Sequence, residues 1–198
     1  ADACRQMGAS PLIAAAGGRR RLEPIGEDYP VIDAPLMVPP PRRFPLSLSY
    51  AGNLLRNGWW HSDTLTGAVR GWLDLFETAP PDRLIAEHAP AAVVAARIAG
   101  LPCTMVGTGF TVPPEASPLP SLHPWLAVPT SVLERTERDF LDAISPLCAT
   151  YGFAPPQTAS DLFRRADRLA CCDPETDHYA AAQRSSWMGP VLESATGV

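Results

Sequence analysis

The stretch Asp82 to Pro102 constrains the fold more than any other part of the chain. Leu84, Ile85 and Ala86 form a short apolar run after Pro80, Pro81 and Asp82. An apolar run of that length suits a strand of a parallel sheet, covered on both faces. Two polar residues follow, Glu87 and His88. Pro90 stands where the first residue of a helix belongs, with φ preset and no N–H to leave unpaired. Ala91 to Ala99 is mostly Ala and Val, so that helix can lie close against a sheet. Gly100 stops it and Pro102 keeps it stopped. Cys103 to Val106 then begins a second apolar run. The stretch reads as a β-α-β unit, and ligands of open α/β sheets bind beyond the carboxyl ends of the strands. Glu87 and His88 therefore stand where chemistry is done.

A chain of 198 residues can bury one substantial core. With 46% hydrophobic and 19% charged residues it has the composition of a soluble globular domain, and its net charge of −5 argues against a nucleic-acid footprint. All sixteen basic residues are arginine. The 23 prolines exceed the usual share of about 5%; falling mostly in loops, they predict long ordered connections. Cys4, Cys103, Cys148, Cys171 and Cys172 show no CxxC spacing and several lie in apolar runs, which suits reduced core thiols in a cytoplasmic protein. No apolar run approaches the roughly 18 residues of a membrane span.

Ala1 to Gly8 reads as the end of a helix and Pro11 to Ala16 as a strand, followed by a basic turn at Gly17 to Arg21. A doubly wound domain that opens on a helix lacks its first strand, so the expected fold is a Rossmann-like three-layer α/β domain, its sheet mostly parallel and its first strand missing. Tyr29 to Ala34 is a further short strand, and the Pro39 to Pro45 segment cannot be regular. In Trp59-Trp60-His61 adjacent rings point different ways, so one can pack while the other lines a cleft. Ser62 is the expected N-cap of a helix carrying Leu65, Val69, Trp72, Leu73 and Phe76 at helical spacing, with Trp72 in the core. After Val106 a loop runs from Gly107-Thr108-Gly109-Phe110 to Pro129. Loops of that length in compact domains are usually functional. Ser131 and Glu134 form the pattern of a capping box, and an apolar stripe from Leu133 to Tyr151 continues that helix to about Gly152. A short helix at Ser160 to Ala166, a strand at Leu169 to Cys172, a polar turn at Asp177-His178-Tyr179 and a last short strand at Ser186 to Val191 complete the reading.

GxGxxG, GxxxxGK[ST], HExxH and GxSxG are absent. Gly107-Thr108-Gly109 is not followed directly by a helix, which argues against a dinucleotide site. No spaced ligand cluster points to a metal. Glu87-His88 remains the candidate pair: either a plain loop at a strand end, or a carboxylate supporting a general base.

The order of these features resembles the N-terminal half of a family 1 glycosyltransferase of the bacterial macrolide or flavonoid type. The resemblance rests on D-R-L-I-A-E-H-A-P-A-A-V-V-A-A-R-I-A-G-L-P, the aromatic and proline loop from Phe110, the long helix from Ser131, and the ending L-A-C-C-D-P-E-T-D-H-Y…W-M-G-P-V. It implies a GT-B fold, in which an N-terminal Rossmann-like domain binds the acceptor and a C-terminal one binds the nucleotide sugar, with inverting transfer that usually needs no metal. Residues 1–192 would be the acceptor-binding domain and 193–198 the start of an interdomain linker, leaving at Gly189-Pro190-Val191. The resemblance implies a catalytic role for Glu87, as the acid that pairs with a base histidine; the family more often has Asp there. That histidine would precede Ala1, and the domain for a UDP- or dTDP-sugar would follow Val198. By itself the chain is expected not to catalyse transfer.

On the same resemblance, Trp60, His61, His88, Thr108, Phe110, His123 and Trp125 are candidate substrate-binding residues, on loops that should face the cleft. Aromatic walls suit a flat, largely apolar small-molecule acceptor, and loop packing is the alternative for each of them. His88 is also a candidate substitute base. Two other readings stand beside this one: a non-catalytic auxiliary protein of the same fold, and an unrelated doubly wound binding or hydrolase domain.

Overall fold

A computed structural model describes residues 2–22, 28–179 and 187–190. The chain falls into two compact units, Ala1–Leu36 and Met37–Val198. The first contains α1 (Asp2–Gln6), β1 (Ile13–Ala15), a 3-10 turn (Gly18–Arg21) and β2 (Val31–Asp33). β1 and β2 pair in parallel, Ile13 opposite Val31 and Ala15 opposite Asp33. Both strands occupy the middle of the runs read from the sequence. The Arg5 guanidinium lies over the Tyr29 ring, 4.3 Å from its centre.

The second unit is built on β3 (Leu84–Glu87), β4 (Cys103–Gly107) and β5 (Ala166–Ala170), in the order β3-β4-β5. All pairing is parallel, with Glu87 opposite Val106 and Gly107 opposite Ala170. The fold is α/β with parallel sheets, as the sequence predicts, and Glu87, Gly107 and Ala170 share one end of the sheet. The β-α-β unit forms as read: α4 (Pro90–Ala99) starts on its proline and ends at Gly100, which adopts the left-handed conformation at φ 68°. Ala91 through Ala96 are all buried, because small side chains let α4 pack on β3, β4 and the neighbouring helix α3 (Ser62–Thr78).

Several expectations are corrected. β3 is an edge strand, so only Ala86 is buried while Ile85 is 54% exposed; it is not covered on both faces. α2 (Tyr50–Leu54) and a π-helical turn (Leu55–Trp59) occupy a segment with no helical pattern. Ser49 starts α2 by accepting from the Gly52 N–H at 3.3 Å, and Asn57 and Gly58 break the turn with non-helical dihedrals. Trp59 is buried and stacks on Phe140 at 5.7 Å. The cap of α3 is His61 rather than Ser62, since the imidazole Nδ1 accepts from the Thr64 N–H at 3.3 Å. α5 (Thr130–Thr150) is capped by Pro129, so Ser131 already lies within its first turn and the capping box does not form. The Ser160–Ala166 helix shrinks to one 3-10 turn, Ser160–Phe163, and β5 starts at Ala166 instead of Leu169. Trp187 to Pro190 has no strand structure, although the Met188 N–H bonds the Ala170 carbonyl at 2.9 Å. Ser186, Val191 and the expected linker at 193–198 lie outside the described residues. Trp72 is in the core, as expected. No described helix is long and apolar enough to cross a membrane.

Candidate functional site

The site begins where β3 ends. Glu87 is the last residue of the strand and is exposed. The chain then turns on His88, held at φ 45°, where side chains other than Gly are seldom found. Among the described residues Glu87 and His88 share no hydrogen bond; the His88 ring instead meets Phe110 edge-on at 5.6 Å. His88 already carries the cost of about 1–2 kcal/mol that the left-handed conformation imposes on a residue with a Cβ, and a β-branched side chain fits that conformation worse still, so His88→Val is expected to lower stability further. His88→Gly should be no less stable than the parent. Thermal unfolding of the two variants checks the order, and a Val protein as stable as the Gly protein would contradict it.

Glu87 faces the neighbouring strand end. Its Oε1 lies 3.5 Å from the place a Cβ would take on Gly107. Gly107 has φ 138°, and a Cβ there would overlap the Thr111 hydroxyl. Gly109 carries no Cβ because the Asp177 carboxylate occupies that space. Asp177 in turn accepts from the Tyr179 N–H at 3.2 Å and the Trp187 indole at 2.8 Å. The Gly-Thr-Gly turn is thus closely packed at both of its glycines. Gly107→Ala meets both a forbidden conformation and an overlap, so it is expected to cost about 1–3 kcal/mol or more. Urea unfolding should show a lower midpoint, and an unchanged midpoint would refute this account of the turn.

The loop from Thr108 to Pro129 is pinned from below. Arg168 of β5 donates to the Pro113 carbonyl at 3.3 Å and the Ser160 carbonyl at 2.9 Å. Glu137, on the buried face of α5, accepts from the Leu119 N–H at 2.7 Å, the Ala159 N–H at 3.0 Å and the Ser117 hydroxyl at 3.2 Å. The loop is also stitched to the chain before α2: Ser121 bridges to Ser49, the Leu122 N–H bonds the Leu48 carbonyl at 2.9 Å, and the His123 Nε2–H bonds the Ser47 carbonyl at 3.1 Å.

These ties shape a cleft of about 320 Å³. It is lined by Phe110, Leu122, His123 and Trp125 from the loop after β4, by Leu46, Ser47, Asn53, Arg56 and Asn57 from the chain around α2, and by His178. Phe110 joins the cleft to the strand end, with His88 on one side and His178 at 5.7 Å on the other. Trp125 is 73% exposed and meets the His123 ring at 5.2 Å. The His178 Nδ1 is buried without a hydrogen-bond partner.

Of the residues singled out in the sequence, the structure gathers Phe110, His123 and Trp125 at the cleft and places His88 beside it. Thr108 lies at the turn, its carbonyl accepting from Thr111 and Val112. Trp60 and His61 do not line the cleft: Trp60 packs with Phe44 and beneath Arg42, while His61 caps α3. Sequence reasoning missed Asn53, Arg56, Asn57 and His178. It also missed Tyr50, fully buried, whose hydroxyl has no hydrogen-bond partner among the described residues. Burial pushes the Tyr50 phenol well above its ordinary pKa; the Arg168 charge opposes the shift and the Glu87 charge adds to it. Among the described residues no group of three or more His, Cys, Asp or Glu could hold a metal.

The described strands and helices thus make a Rossmann-like parallel α/β unit, with a cleft beside the loop that leaves the carboxyl end of β4. No family model matches the chain, and no curated protein matches it. Its structure is similar to the crystal structure of SsfS6, a glycosyltransferase of Streptomyces sp. SF2575, with 16% identity and a TM-score of 0.47. The match covers 87% of this chain and 45% of that one, so the chain spans less than half the length of that protein.

Proposed function

We propose that this chain is the acceptor-binding part of an inverting glycosyltransferase that moves a sugar from a nucleotide sugar to a hydroxyl of a small, largely apolar acceptor. The observation that carries the reading is the position of Glu87. It ends a parallel strand beside Gly107, and the adjoining cleft is walled by Phe110, His123 and Trp125. That is the arrangement the sequence resemblance calls for: a carboxylate able to support a base, next to an aromatic surface for a flat aglycone. In this reading a UDP- or dTDP-sugar donor is held by a second domain, and the base is a histidine partnered by Glu87.

Transfer assays test the reading. With UDP- or dTDP-glucose and a hydroxylated aromatic acceptor, the chain joined to a donor-binding half and the base histidine is expected to form glycoside, while the chain alone binds acceptor without turnover. Acceptor binding without transfer by the joined protein would instead support a non-catalytic protein of the same fold. Glu87, standing where the family it resembles more often has Asp, permits that second reading.

A further inference from the structure

The cleft has a chemical bias that an apolar acceptor does not use. Among the described residues its lining contains one guanidinium, two imidazoles and two carboxamides, and no carboxylate, in a chain whose net charge is −5. Asn53, Arg56 and Asn57 are spaced i, i+3 and i+4, so they fall on one face of the helical segment formed by α2 and its π turn; Leu54, Leu55, Gly58 and Trp59 are buried on the other. The Asn57 amide is fixed by the Asn53 carbonyl at 2.7 Å and the Asn53 side-chain oxygen at 3.1 Å. Arg56, unlike Arg83, Arg97, Arg164 and Arg168, makes no hydrogen bond or ion pair among the described residues. Its planar, permanently charged fork matches a carboxylate in two parallel hydrogen bonds. Leu46, Phe110, Leu122 and Trp125 line the same cleft and offer ring-sized apolar contact.

We propose that the cleft binds a small aromatic carboxylate, its ring on the Phe110–Trp125 wall and its carboxylate on Arg56. The proposal rests on reading this cleft as the acceptor site, and it narrows the acceptor to an aromatic acid. The cleft volume of about 320 Å³ suits a single-ring acid better than a large polycyclic ligand.

Isothermal titration of the chain with 4-hydroxybenzoate and with its methyl ester tests it. The acid should bind, and the ester, which keeps the ring and the hydroxyl but loses the charge, should bind roughly tenfold or more weakly. Arg56→Gln should weaken acid binding to the level of the ester, Arg56→Lys should restore part of it, and Trp125→Ala should weaken both ligands. Arg56 and Trp125 are exposed, so circular dichroism should show these variants folded. Equal binding of acid and ester, undiminished acid binding by Arg56→Gln, or no acid binding by folded parent protein would overturn the proposal. Its failure is distinguishable from that of the transferase reading. Binding of the acid that depends on Arg56, with no sugar transfer in the joined protein, sustains this inference and removes the transferase. Transfer to the ester that is indifferent to Arg56 does the reverse.

Discussion

Replacing Glu87 by Gln is expected to lower the rate of sugar transfer by about 10²–10⁴-fold at saturating acceptor, the usual worth of general-base support. The change keeps the shape of the side chain and removes only its charge. The fold should not notice, because Glu87 is exposed and ends an edge strand. The proposed role is to orient a histidine and stabilise its protonated form as it takes the proton of the acceptor hydroxyl. An amide can still orient the ring but cannot stabilise the cation. The loss should therefore appear in kcat, with KM for acceptor nearly unchanged, since the proposed acceptor contacts are Phe110, His123 and Trp125 instead. Glu87→Asp, which installs the residue more usual in the family it resembles, should retain much more activity than Glu87→Gln. The measurement needs the protein that also carries the donor-binding half. A Gln variant within about threefold of the parent rate would remove Glu87 from the mechanism.

What the sequence made legible follows from how local its signals are. The β-α-β unit could be read almost residue by residue because Pro90 and Gly100 punctuate α4 through their own backbone geometry. The long loop after β4 was legible because strand and helix patterns on either side left nothing else for it to be. The segment Tyr50 to Trp59 was not, since two glycines and two asparagines in Y-A-G-N-L-L-R-N-G-W give no apolar period; buried Trp59 and Tyr50, held by Phe140 and Phe163, keep it helical. One wall of the cleft was hidden with it. Trp60 and His61 show the converse problem. Adjacent aromatics look the same in a sequence whether they line a cleft or serve as a cap, and here the spacing of His61 to Thr64 decided for the cap. His178 meets Phe110 only through the fold, so nothing near it in the chain marked it.

Glu137 is the residue whose signal was present and went unread. Leu133, Glu137, Phe140 and Ile144 lie on one buried stripe of α5, so a carboxylate stands at a position the helical period reserves for the core. Buried charges persist only where they are hydrogen-bonded, and Glu137 meets that condition with two buried backbone N–H groups, of Leu119 and Ala159, and one hydroxyl. Glu137→Ala strands both backbone donors away from water. At about 1–3 kcal/mol for each, the expected loss is about 2–6 kcal/mol, a large part of the roughly 5–15 kcal/mol that holds a domain together. Gln is not a remedy, because its single amide oxygen can serve only one of the two N–H groups and its NH2 confronts the other donor. Glu137→Gln should therefore lie much closer to Ala than to the parent. Urea unfolding gives the loss, and amide exchange should accelerate first at Leu119 and Ala159, where the loop comes off α5. That release matters beyond stability: the same loop carries Phe110, His123 and Trp125, so ligand binding in the cleft should weaken in conditions where the variant is still folded. Both substitutions costing less than about 0.5 kcal/mol, the range of an ordinary surface change, would mean that the loop is held by its stitches to residues 47–49 and that the buried carboxylate is dispensable.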